Sequence, residues 1–153
     1  MPDALFPRIL ARVPDYAKAL LRAMLLSHGE GNVDHKLKEI IRIRLARTAG
    51  DRYFAGLRSA KAKQQGLDER AIDAGADDDD GGAHLSPAER CALRYARLMY
   101  LDPSRVDAGF YADMKQHYSE AQIMELGAFI AFHYGMQVFM RTLDAVPLST
   151  PNH

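Results

Sequence analysis

Lys38-Glu39-Ile40-Ile41-Arg42-Ile43-Arg44-Leu45-Ala46-Arg47, halted by Gly50 and followed by Asp51-Arg52-Tyr53-Phe54, is the stretch whose reading decides the fold. Leu37, Ile40, Ile41, Ile43 and Leu45 cover so much of a helical circumference that only a narrow polar strip remains, which predicts a central helix. Asp34 stands where a side-chain oxygen would satisfy the first free N–H groups, and Gly50 stops the helix. Asp51 then caps a return helix that carries Tyr53, Phe54 and Leu57 inward and ends at Gly66. The expected unit is a helical hairpin over residues 34–66.

The other elements wrap this hairpin. Before it, Pro14 to Ser27 reads as a helix with Leu20, Leu21, Met24 and Leu25 at helical spacing, ended by Gly29 and Gly31. After it, Asp68 to Ala74 reads as a short helix, and the segment 75–84, with Asp77 to Asp80 and flanking glycines, reads as an acidic loop. Consecutive carboxylates repel without imposing ligand geometry, so no metal is expected there. Ser86-Pro87-Ala88-Glu89 has the hydroxyl, the first-turn proline and the third-position carboxylate of a capping box. The helix it opens runs to about Leu101, where Asp102-Pro103 breaks it. Asp107 starts a short helix to about His117, and Ser119 with Gln122 forms a second capping box ahead of a long apolar helix to about Leu143. No β-branched alternation bounded by turns occurs, so the fold class is all-α, a single domain over 1–147 with C-terminal helices in 86–143 and a loose tail at 148–153.

Composition narrows the function classes. At 153 residues and 48% hydrophobic content the chain can fill one core. Lys plus Arg equals Asp plus Glu at 20 each, so the net field gives no reason to bind nucleic acid or an anionic membrane. Leu126 to Met140, interrupted by His133 and Gln137, is too short for a membrane span and reads as a buried helix. Cys91 is the single thiol, which rules out an intrachain disulfide, a Cys-x-x-Cys pair and a cysteine-rich zinc site within this sequence. Met1-Pro2-Asp3 lacks a signal-peptide start, and a cytoplasmic location is expected. The six histidines show no i, i+3 or i, i+4 pairing, so no metal site and no cofactor are expected.

The hairpin, with Lys38 to Arg47, Gly50 to Phe54 and the close at Gly66-Leu67, resembles the core of the carboxymuconolactone decarboxylase and alkylhydroperoxidase D-like family. The segments Leu85 to Leu98 and Glu125 to Pro147 resemble the C-terminal half of one branch, so the likeness spans nearly the whole chain. Aligned on Gly66-Leu67, the resemblance places Asp51 and Phe54 at the family's two cysteine positions and Arg58 at its histidine. It places Glu39 at the proton-relay glutamate and Tyr53 at the aromatic between the cysteines. Family membership alone would imply peroxiredoxin activity. Peroxide reduction needs an attacking and a resolving thiol, and neither Asp51 nor Phe54 supplies one.

Each of these positions has a functional and a structural reading. Glu39, on a stripe with Ile43 and Ala46, is either a partly desolvated general base with a raised pKa or the partner of Arg58 or an arginine of a neighbouring helix. Arg58 either forks a substrate carboxylate or makes an ion pair. Asp51 is a substrate-site residue or only a cap, Phe54 lines or fills the pocket, and Tyr53 donates a hydrogen bond or packs. His133, on the last helix, faces the hairpin as an acid-base group or sits satisfied in the core. The reading that uses all of them is a lyase, decarboxylase or isomerase-like enzyme for a small acidic organic substrate, with Glu39, Tyr53 and His133 catalytic and Arg58, Asp51 and Phe54 binding. The rival is a non-catalytic ligand-binding or assembly homologue. In either case a homo-oligomer is expected.

Overall fold

In the computed structural model, residues 10–74 and 84–142 are described. The helices, in chain order, are α1 (Pro14–Gly29), α2 (His35–Thr48), α3 (Arg52–Gly56), α4 (Ala60–Gln64), α5 (Glu69–Ala74), α6 (Pro87–Leu101), α7 (Ala108–Met114) and α8 (Glu120–Thr142), with a 3-10 turn over Pro103–Arg105 before α7. No strand occurs among the described residues. The acidic stretch 75–83 and the tail lie outside them.

Helix α2 is the axis. Leu37, Ile40, Ile41, Ile43 and Leu45 are all buried, and so are Lys38, Glu39 and Arg42 on the strip that the sequence left polar. Asp34 caps its start by accepting from Lys36 N. Its end is a Schellman closure: Gly50 has φ 68°, Gly50 N donates to Arg47 O at 3.0 Å, and Asp51 N donates to Ala46 O at 2.8 Å. Arg141 on α8 adds a guanidinium bond to Ala49 O, tying the turn to the last helix.

The return arm departs from the single expected helix. It is broken into α3 and α4, with Leu57, Arg58 and Ser59 between them. The cause lies on α2: Arg42 Nη1 takes the carbonyl of Phe54 at 2.7 Å and Nη2 takes that of Leu57 at 2.7 Å, acceptors that a continuous helix would have used itself. Ser59 then caps the next helix by accepting from Ala62 N. The arm still closes at Gly66, φ 84°, with Leu67 N donating to Ala62 O.

The C-terminal half forms as its local signals predict. Ser86 and Glu89 make both bonds of a capping box at 3.2 and 2.8 Å, and Ser119 with Gln122 does the same at 3.3 and 2.9 Å. Asp107 caps α7, which stops at Met114 rather than running to His117. Helix α8 is long and apolar enough to cross a membrane by length and composition. Its Ile123, Leu126, Phe129, Ile130, His133, Gln137 and Met140 are instead buried in this fold, where α8 packs on α1, α2 and α6. On α1 only Ala17 is fully buried; Leu21, Leu25 and Leu26 face outward.

Candidate functional site

The Glu39 carboxylate is the hub of a buried polar cluster. Its side chain has no exposure, and each oxygen receives two donors. Arg42 approaches as a fork, Nε to Oε2 at 2.9 Å and Nη2 to Oε1 at 2.8 Å. Ser59 N donates to Oε1 at 2.7 Å, and His28 Nε2 lies 2.9 Å from Oε2. Burial pushes the carboxyl pKa up, but the bonds from Arg42 and His28, the Arg42 charge and the Ser59 N–H outweigh it and hold the group far below the usual carboxylate range. This corrects the expectation of a raised pKa. At neutral pH Glu39 is thus an anion with no proton to donate.

An ionised carboxylate has no proton to give, so the shared hydrogen belongs to His28 Nε2. The second ring nitrogen, Nδ1, is left as the atom through which the imidazole can exchange a proton, and the His28 side chain is 24% exposed. His35 stacks on His28 at 4.7 Å between centroids, and His133 meets it edge-on at 5.5 Å. These histidines come from α1, α2 and α8, so no helical spacing in the sequence could pair them. Among the described residues no group of three His, Cys, Asp or Glu side chains could hold a metal.

On α8, buried His133 lies beside Phe129 at 4.3 Å and meets His28 of α1. Burial, helped by the His28 and Arg42 charges and opposed by Glu39, pulls its pKa down to about 3, so at neutral pH it is an uncharged ring. Its Nε2 is buried without a hydrogen-bond partner among the described residues.

The remaining sequence candidates divide. Arg58 is not the partner of Glu39: its Nε and Nη2 fork the Glu69 carboxylate at 2.9 and 3.0 Å and its Nη1 takes the carbonyls of Ala55 and Leu57, so the guanidinium is engaged on all sides. The partner is Arg42, one turn along α2, an i, i+3 spacing the sequence displays openly. Asp51 acts as the cap of α3, Oδ1 accepting from Phe54 N at 3.0 Å, while buried Oδ2 finds no donor among the described residues. Phe54 reaches the cluster through its carbonyl. The side chain of Tyr53 lies outside the described part. Arg42, His28, His35 and Ser59 are the cluster members that the sequence reading missed.

A cavity of about 830 Å³ opens elsewhere, between α6, α7 and α8, lined by Tyr95, Met99, Tyr111, Ile123, Met124 and Gly127. No member of the Glu39 cluster lines it.

No protein-family model and no curated protein sequence matches the chain. Solved structures do. A peroxidase-related protein from Ralstonia eutropha JMP134, described as an alkylhydroperoxidase AhpD core, superposes with TM-score 0.73 at 17% identity over 88% of this chain and 71% of that one. The chain has the alkylhydroperoxidase D-like fold. A second match of this fold is the debrominase Bmp8, whose cysteine-to-alanine variant in complex with 2,3,4-tribromopyrrole gives TM-score 0.74 at 21% identity over 91% of this chain and 74% of that one. A third is a peroxidase-related protein from Silicibacter sp. TM1040, with TM-score 0.73 at 13% identity over 84% and 68%. Identities this low establish the alkylhydroperoxidase D-like architecture alone.

Proposed function

We propose that this alkylhydroperoxidase D-like chain is a small-molecule enzyme of the lyase, decarboxylase or isomerase kind that moves protons, with His28 as the proton carrier and Glu39 as the anion that orients it. The observation that carries this reading is the 2.9 Å contact between a fully buried, ionised carboxylate and one nitrogen of a part-exposed imidazole. Such a pair fixes the ring's tautomer and presents the other nitrogen as base or acid. Thiol peroxidase chemistry is left out because the sequence holds one cysteine, Cys91, whose thiol is pushed up by burial on α6.

The acidic-substrate expectation continues without its anchor, since Arg58 and Arg42 are both engaged within the protein. Neutral lactones and ketones therefore belong in the screen beside organic acids. Solvent-deuterium incorporation into such compounds, followed by NMR, tests the reading. The wild type exchanges at least one of them and His28→Gln, folded as the parent, does not; equal exchange by both would exclude His28 as the carrier.

One observation favours a second reading, a scaffold without catalysis: all four donors around Glu39 come from the protein itself, as in a purely structural network. Under that reading Glu39→Gln and His28→Gln change melting temperature and no compound exchanges. A homo-oligomer joined through the outward Leu21, Leu25 and Leu26 of α1 is part of the proposal under either reading. Light scattering checks it, and a monomer at all concentrations rejects it.

A further inference from the structure

We infer that Ser59 and His35 form a nucleophile and base pair that gives the chain acyl-transfer activity toward small carboxylic esters. The argument goes beyond the proton-transfer reading and shares with it Glu39, which pins the Ser59 backbone through Oε1 while orienting His28 through Oε2, and the backbone of His28, whose carbonyl meets His35.

Three contacts determine where the protons sit. His35 Nδ1 is 2.6 Å from the carbonyl oxygen of His28, an atom that can only accept, so Nδ1 carries a hydrogen. In the neutral ring Nε2 then has a lone pair, and the atom 2.8 Å away is Ser59 Oγ, which must donate. The hydroxyl hydrogen thus points at the imidazole while the oxygen keeps its lone pairs. A structural cap would account for Ser59 alone, but the capping contact from Ala62 N is the longer one, at 3.3 Å. Nor is the arrangement general in this chain. Ser27 and Ser104 donate to a backbone carbonyl and to Asp102 Oδ1, and Ser86 and Ser119 cap helices. Among the described residues Ser59 is the serine whose hydroxyl meets a ring nitrogen. A nucleophile bonded to a base that a third group orients is the recurring pattern of serine acyl transfer, here with a backbone carbonyl as the orienting group.

The chemistry balances with water as co-reactant. Ser59 Oγ bonds to the ester carbonyl carbon, its proton passes to His35 Nε2, and the carbonyl π electrons move to oxygen. Collapse of that adduct breaks the bond to the alkoxide, which leaves as the alcohol with the His35 proton. Water then attacks the acyl-serine, again giving its proton to His35, and the acid departs as Ser59 recovers its hydrogen.

The test is labelling of the full chain with a fluorophosphonate probe, mapped by mass spectrometry. The expected result is a single adduct on Ser59, with the rate falling about a hundredfold in His35→Gln. Ser59→Asn keeps a capping side chain, so it should melt as the parent does and take up no probe. For a variant free of hydroxyl chemistry, Ser59→Cys should react with iodoacetamide faster when His35 is present than in Ser59→Cys with His35→Gln. No adduct, an adduct on another residue, or equal labelling with and without His35 overturns the inference. Any of those results leaves the deuterium-exchange test of His28 standing, so the two proposals fail separately.

Discussion

Lys38 and Glu39 are neighbours on one helix, both fully buried, and each is the centre of an ion pair; the two pairs nonetheless do different work. Lys38 Nζ sits 2.5 Å from Glu125 Oε1 and 2.6 Å from the carbonyl of Glu30, and Glu125 in turn accepts from Asn32 N and Val33 N. That network clamps the turn from α1 to α2 onto α8. Gly31 shows how tightly: its φ is 104°, and a β-carbon there would lie 2.3 Å from Glu125 Oε1. Every partner in it is a backbone group or a lysine. The Glu39 network differs by one member, a part-exposed imidazole with a second ring nitrogen not engaged by the carboxylate. A buried charge is therefore weak evidence for a site. What distinguishes the second cluster is a titratable group standing between the buried anion and solvent.

The largest effect should follow Arg42→Met, which strands a wholly buried carboxylate and also frees the carbonyls of Phe54 and Leu57. A loss of about 3–5 kcal/mol in urea unfolding is expected, and a loss below about 1 kcal/mol would show that Glu39 is not held as described.

Acid should come next. The pKa of Glu39 is depressed from an ordinary 4.5, so below that value the unfolded chain takes protons that the folded one refuses. Its stabilisation is present above pH 4.5 and disappears as pH falls toward the folded value. Glu125 is depressed as well, burial raising its pKa and the Lys38 and backbone bonds lowering it further, and it adds in the same direction. His133 acts earlier: its folded pKa of about 3 lies below the ordinary 6.5, so stability begins to decline once pH falls under 6.5. His133→Phe should flatten the unfolding free energy between pH 6.5 and 4.5 and leave the steeper fall below in place.

Lys38→Met should cost less than Arg42→Met, about 1–3 kcal/mol, because Glu125 keeps two backbone donors and is 18% exposed. Equal losses for the two variants would erase the distinction between clamp and site. His28→Gln should be the mildest, within about 1 kcal/mol by thermal melting, while abolishing deuterium exchange. That contrast is the sharpest form of the comparison.

The fold was legible where its causes are local. The caps at Asp34, Asp51, Ser86, Asp107 and Ser119 and the closures at Gly50 and Gly66 each need only a few adjacent residues, and all of them form. The break between α3 and α4 was not, because it depends on a guanidinium from α2 taking carbonyls 12 and 15 positions later. The site was half legible. Glu39 and His133 were both singled out from the sequence, each now found against His28, and Arg42 was available from its spacing to Glu39. His28 and His35 were not, since the turn through Gly31 folds the end of α1 back over the start of α2, and no periodicity records a contact made that way. Nor does sequence foretell which effect sets a buried acid's pKa: burial alone raises it, and four donors reverse the sign.

The most direct measurement is NMR of the folded chain with carbon-13 at the glutamate carboxyls and nitrogen-15 in the histidine rings. Glu39 should stay ionised as pH is lowered from 7 through 4.5, and neutral His28 should carry its hydrogen on Nε2. A Glu39 carboxyl that titrates at or above 4.5, or a His28 ring protonated on Nδ1 instead, would contradict the account.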